Sequence, residues 1–209
     1  LIQFGIIHVF VINKKMKKLD QSDLLTLEEY NYKREDLVEE VLEIKKNRRI
    51  PIGSNVSLLF ENSATIKYQI QEMLTVKKVI EPDRIEEELS VYNTLVPDGS
   101  NLKATMIIEF PDQKVSLERL SQLIGIEDKV WLQIGENDRV FAIAEEVLDR
   151  TNKGKTSVVH FLRFELSKLM IKELKSGITL FAGIGHLNYN VRTQEVAQTI
   201  SSSLSNDLD

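Results

Sequence analysis

The sequence predicts an α+β protein: a helical N-terminal half, residues 16–96, packed on a C-terminal mixed β-sheet of about five strands with helices on one face. Three observations predict it. Thr26 to Glu29 reads TLEE, a capping box that opens a long stretch of helical spacing. After residue 100 the pattern changes to short apolar runs punctuated by Gly, Asn and Asp. Between the two lies Val96-Pro97-Asp98-Gly99-Ser100, a turn signal that marks the boundary of the halves but is too short for a flexible linker.

The first helix is expected from Thr26 to about Asn47, with Leu37, Val38, Val41 and Leu42 on one face. Glu35, Asp36, Glu39 and Glu40 precede Lys45, Lys46, Arg48 and Arg49, an order that suits the helix dipole. A phosphate-binding patch is the other reading of the KKNRR cluster. Ile50-Pro51-Ile52-Gly53 should break the helix, and Val56 to Phe60 reads as a strand. Ser63 can cap a second helix through Ile66, Ile70, Met73 and Leu74, and Pro82 suits the first turn of a third.

The second half reads β-α-β-β-β-α-β. The strands are Ala104–Phe110, Lys129–Ile134, Arg139–Ala144, Thr156–Leu166 and Ile178–Ile184. Gly135 to Asp138 is a hairpin loop, and Asn152 to Lys155 a further turn. Ser116 and Ser167 can cap the intervening helices, and a weak helix from Thr193 to Leu204 closes the chain. A ferredoxin-like variant is one form this order can take. Phe60, Met73, Leu89, Ile108, Trp131, Phe161, Phe164 and Phe181 are expected in the interior.

Residues 1–15 fall outside this scheme. Their apolar run is about ten to twelve residues, against the roughly 20 that span a bilayer. Lys14 and Lys15 follow the run instead of preceding it, unlike a signal peptide. Met16 opens MKKLDQSDLL, so residues 1–15 are expected to be a non-native or disordered extension; a membrane-associating segment is the rival reading.

Composition excludes several chemistries. The 209 residues include no cysteine, so this chain supplies no disulfide, thiolate metal site or cysteine nucleophile. Three histidines leave little material for an imidazole metal centre, and no metal or cofactor is expected. A net charge of −5 argues against nucleic acid held by bulk electrostatics. No phosphate loop, HExxH or GxSxG string occurs; Lys153-Gly154-Lys155-Thr156 lacks the upstream glycine of a phosphate loop. The expected location is cytoplasmic, without membrane contact.

Polar residues with chemical potential remain. His160 alternates with Val158, Leu162 and Phe164, so it is either a core histidine with one hydrogen bond or a base at the seam between sheet and helices. Arg163 and Glu165 lie on the other face and pair only if their side chains lean together. Glu61 ends a strand and precedes a helix; Gln69 and Glu72 follow on that helix. A cleft between the halves would gather Glu61, Gln69, Glu72, His160 and Arg163.

Five strings are more specific than their composition: LLTLEEY (24–30), FENSATIKYQIQEML (60–74), YNTLVPDG (92–99), GIEDKVWLQIG (125–135) and GKTSVVHFLRFEL (154–166). In order and spacing they resemble a bacterial domain-of-unknown-function family, number 3501 in that series, from about Met16 to the C-terminus. The resemblance carries no catalytic residues. By context it implies rubrerythrin-like or iron–sulfur oxidoreductase neighbours, and so peroxide or redox metabolism. The expected function is a non-catalytic accessory or binding protein; the alternative is a small-molecule enzyme using a carboxylate and a histidine between the halves.

Overall fold

A computed structural model describes residues 18–111, 113–144 and 155–209. The expectations for residues 1–15 and for the turn at 152–154 lie outside what it describes, whereas Ser116, expected as a helix cap, lies inside a helix that already begins at Gln113. The α+β class and the helical N-terminal part are as expected. The sheet arrangement is different: the strands form two antiparallel sheets, of five and four strands.

Helix α1 (Leu27–Lys46) begins at the expected capping box, with Thr26 accepting from the Glu29 amide and Glu29 accepting from the Thr26 amide. Strand β1 (Arg49–Ile52) follows almost at once and pairs with β2 (Val56–Phe60). The sequence pattern predicts Ile50-Pro51-Ile52 only as a helix breaker. Pro51 is compatible with a strand because β1 is a sheet edge. Helix α2 (Ser63–Lys77) is capped by Asn62, one residue earlier than expected, in a reciprocal pair with Thr65. Helix α3 (Pro82–Tyr92) starts on its proline.

Strand β3 (Asn101–Ile108) runs beside β2, then helix α4 (Gln113–Gln122) leads to β4 (Val130–Ile134). The run expected as one strand over Arg139–Ala144 is divided. Strand β5 (Val140–Phe141) pairs with β4, and β6 (Ile143–Ala144) crosses to pair with β7 (Val159–Glu165). Ala142 sits at the crossing and donates its amide to Val130 O at 2.8 Å. Helix α5 (Lys168–Lys175), β8 (Leu180–His186), β9 (Tyr189–Arg192) and α6 (Gln198–Ser205) complete the chain.

The first sheet has the order β1-β2-β3-β7-β6 and the second β5-β4-β8-β9. Among the described residues every strand pair is antiparallel, and β7 and β8 lie in different sheets, so they form no mixed, ferredoxin-like sheet. The period of two explains the core. Leu102, Ala104, Met106 and Ile108 of β3 share a face with Leu162 and Phe164 of β7; they pack with Val130, Leu132 and Ile134 of β4 and Leu180, Ala182 and Ile184 of β8. Phe60 and Phe164 meet there as a tilted pair, ring centres 6.2 Å apart. The opposite face of the first sheet carries Phe161, which packs under a smaller cluster of Ile66, Ile70, Leu74, Leu89 and Leu95 from the helical layer. Of the eight expected interior residues, Met73, Phe161 and Phe181 are only half-buried.

Candidate functional site

Glu61 leaves β2 directly before α2 and is 1% exposed. Its two carboxylate oxygens accept from the Thr65 and Thr105 hydroxyls at 2.5 and 2.6 Å. Thr105 faces the helical layer, because its ladder partner is Phe161. Glu61 therefore ties α2 to that face of the first sheet.

His160 occupies the other face. It is 6% exposed, and its Nε2 lies 2.9 Å from Thr156 Oγ1 and 3.0 Å from Ser157 O. Its Nδ1 lies 3.9 Å from Glu127 Oε2 on the turn before β4, and that oxygen is buried without a hydrogen-bond partner. The first sheet stands between Glu61 and His160, as alternation along β7 requires. Arg163 does lean onto Glu165, and the two form an ion pair on the helical side.

Glu72 belongs to a third group. Arg34 of α1 binds it through Nε and Nη2 at 2.8 and 2.9 Å, and the Tyr30 hydroxyl donates to the same carboxylate at 2.7 Å. Arg34 holds the Glu72 carboxyl below its ordinary range against the opposing effect of burial, with Tyr30 adding to Arg34. Burial and the adjoining Glu72 push the Tyr30 phenol up. This clasp fixes α1 on α2. Gln69 is half-buried on α2. The five residues expected in one cleft are thus spread over three places, with the sheet and the helix pair between them.

Three features were not anticipated. Arg48, read as part of a dipole-matched cluster, is 1% exposed and donates to Phe60 O, Glu61 O and Ser203, with an ion pair to Asp207. Burial raises the Asp207 carboxyl to about 6, and Arg48 opposes that shift. A second feature is an apolar groove of about 420 Å³ between α1 and α2, floored by Leu37, Val41 and Ile44 and rimmed by Lys33, Glu40 and Lys67.

The third is the outer face of the second sheet. Register places Phe141, Trp131, Gly183 and Arg192 in one row across β5, β4, β8 and β9. Arg139 lies over the Trp131 ring at 4.1 Å from its centre, and Arg192 over Phe181 at 4.4 Å. Neither arginine has a carboxylate partner among the described residues. Stacking holds each guanidinium flat and leaves its in-plane N–H fork exposed, a geometry suited to carboxylate or phosphate oxygens. The alternation of Trp131 with Gln133 and the paired Gly183 and Gly185 were the available signals. The arginines gave none, since Arg192 sits on a strand absent from the expected scheme.

Among the described residues no group of three or more His, Asp or Glu side chains is placed to hold a metal ion, and no helix is long and apolar enough to cross a membrane. No curated protein matches the chain. A solved structure described as a novel protein of unknown function from Burkholderia pseudomallei K96243 is similar, with 44% identity and a TM-score of 0.88. The match covers 92% of this chain and 100% of that one. The model of a family described as protein of unknown function (DUF3501) matches residues 18–208. From the Asp20 turn to the buried Asp207, the described fold coincides with that match, and the chain belongs to the DUF3501 family.

Proposed function

We propose that the chain is a non-catalytic accessory or binding protein of the cytoplasm that acts with redox partners, of rubrerythrin-like or iron–sulfur oxidoreductase type. The observation that carries this reading is the pair of stacked arginines. In a chain of net charge −5, Arg139 and Arg192 stand on one sheet face without acidic partners among the described residues, beside Phe141, which is half exposed. Such a face complements an acidic protein surface: the guanidinium forks take carboxylates and Phe141 supplies apolar contact.

The test is capture from native bacterial lysate on the immobilised full chain, with bound proteins identified by mass spectrometry. The reading expects an oxidoreductase of the stated type, lost with Arg139→Ala plus Arg192→Ala and retained with His160→Ala or Glu61→Gln. Capture that ignores the arginines and follows His160 counts against it.

The alternative is an enzyme using a carboxylate and a histidine. Its support is the buried Glu127 Oε2, which has no hydrogen-bond partner and lies 3.9 Å from His160 Nδ1, a gap that must shorten to hydrogen-bond distance for the two to act as an acid–base pair. A ligand retained through purification and lost with His160→Ala favours that reading.

A further inference from the structure

The groove between α1 and α2 lies on the other side of the first sheet from the stacked arginines and calls for a separate occupant. Helix α1 has 20 residues, of which only Tyr30 and Val41 are buried. At 1.5 Å per residue it is about 30 Å long. It is held to α2 by the Glu72 clasp yet leaves Leu37 and Ile44 half-buried along an open trough. Lys33, Leu37, Glu40 and Ile44 recur at i, i+4, i+7 and i+11, the spacing of a seam between two helices.

We propose that this trough is the interface of a homodimer, in which α1 of a second copy lies antiparallel along it about a twofold axis at Leu37. Charge selects both the partner and the direction. With the axis at Leu37, that residue meets Leu37 of the partner subunit. Lys33 then adjoins Glu40 of the partner subunit, and by symmetry the pairing occurs twice. Farther out, Glu28 and Glu29 at one end of the helix meet the Lys45 and Lys46 end of the other copy. A parallel arrangement would set Lys33 against itself and Glu40 against itself, which like charges oppose. A second copy of this chain is the partner whose charges this seam already matches. The small side chain of Ala64 on the α2 wall leaves room for the incoming helix.

Sedimentation velocity on the full chain tests the proposal. A dimer of twice 24.0 kDa is expected at micromolar concentration. Leu37→Asp should give monomer with unchanged helix content by circular dichroism. Lys33→Glu sets two like-charged pairs across the axis and should weaken the dimer about tenfold or more, a change equal to about 1.4 kcal/mol. Adding Glu40→Lys to Lys33→Glu restores opposite charges and should restore the dimer. The charge pair decides the matter even if Leu37→Asp unfolds. A monomeric wild type, or a dimer indifferent to Leu37→Asp and to Lys33→Glu, overturns the proposal and assigns the trough to another occupant. Neither result bears on the arginine face, whose test uses different residues.

Discussion

Arg48 and Asp207 are 159 positions apart in the chain and share one buried ion pair. The guanidinium also closes over the carbonyls of Phe60 and Glu61 and over Ser203, so one side chain joins the end of α1, the end of β2 and the C-terminal tail. The tail is held further by the Asp209 amide on Gly99 O at 2.9 Å and by Lys175 Nζ on Leu208 O at 2.6 Å. A charge this deeply buried stabilises only while each of its polar partners is matched.

Arg48→Met is therefore expected to lower stability by about 3–5 kcal/mol, because it leaves the Asp207 carboxylate and the carbonyls without a donor. Urea unfolding followed by circular dichroism measures this. The double variant Arg48→Met, Asp207→Leu should recover much of the loss, since replacing both charges removes the uncompensated one. No recovery would mean that the carbonyl contacts, and not the ion pair, carry the effect.

Asp207 also gives a pH dependence of unusual sign for a carboxylate. Burial raises its folded value to about 6, above the ordinary 3.8, despite the pull of Arg48. The folded chain then binds the proton more tightly than the unfolded chain does. The associated stability is fully present below about pH 4 and is lost as pH rises through about 6. Urea midpoints between those limits should show wild type gaining on Asp207→Asn as pH falls. An opposite slope would show that Arg48 outweighs burial.

How much of this was legible in the sequence depended on distance along the chain. The α1 capping box and the faces of His160 and Arg163 follow from spacing within a few residues, and the structure shows them as read. Arg48 was hidden because helical periodicity stops at Asn47 and β1 alternates over only four residues, one of them proline. The partners of Glu72 lie 42 and 38 positions away, and no local pattern names them. The division into two sheets turns on Ala142, where the five-residue apolar run Val140 to Ala144 changes sheets without any Gly or Pro to signal it.

Glu72 should behave oppositely to Asp207. Arg34 holds its folded value below the ordinary 4.5, so its contribution is present above that value and lost as pH falls below it. The carboxylate is partly exposed, and the effect on global stability should be small. Its local effect is larger in proportion: Glu72→Gln removes the charge that both Tyr30 and Arg34 bind. Amide hydrogen exchange should quicken along α1 in this variant at neutral pH, and in wild type on acidification, with the sheet amides unchanged. Equal protection of α1 in both proteins would show that apolar contacts with α2 suffice to hold it.

The outer face of the second sheet depends on a missing side chain. Trp131 lies flat across β8 at Gly183, and a Cβ built there would meet ring atom Cε2 at 2.5 Å and the Val191 carbonyl oxygen at 2.8 Å. Gly183 is in ordinary extended backbone, so the constraint is close approach and not conformation. Gly183→Ala must tilt the indole off the sheet, which also displaces Arg139 from the ring face it covers. The expected cost is about 1–3 kcal/mol, the range for overpacking a tight interior, with a changed near-ultraviolet circular dichroism band from the lone tryptophan. Trimming the ring with Trp131→Leu should relieve only part of that cost, because the Val191 carbonyl stays where it is. Partner capture should fall in Gly183→Ala at temperatures where the chain remains folded. Unchanged capture together with an altered tryptophan band would show that Arg139 binds independently of its ring.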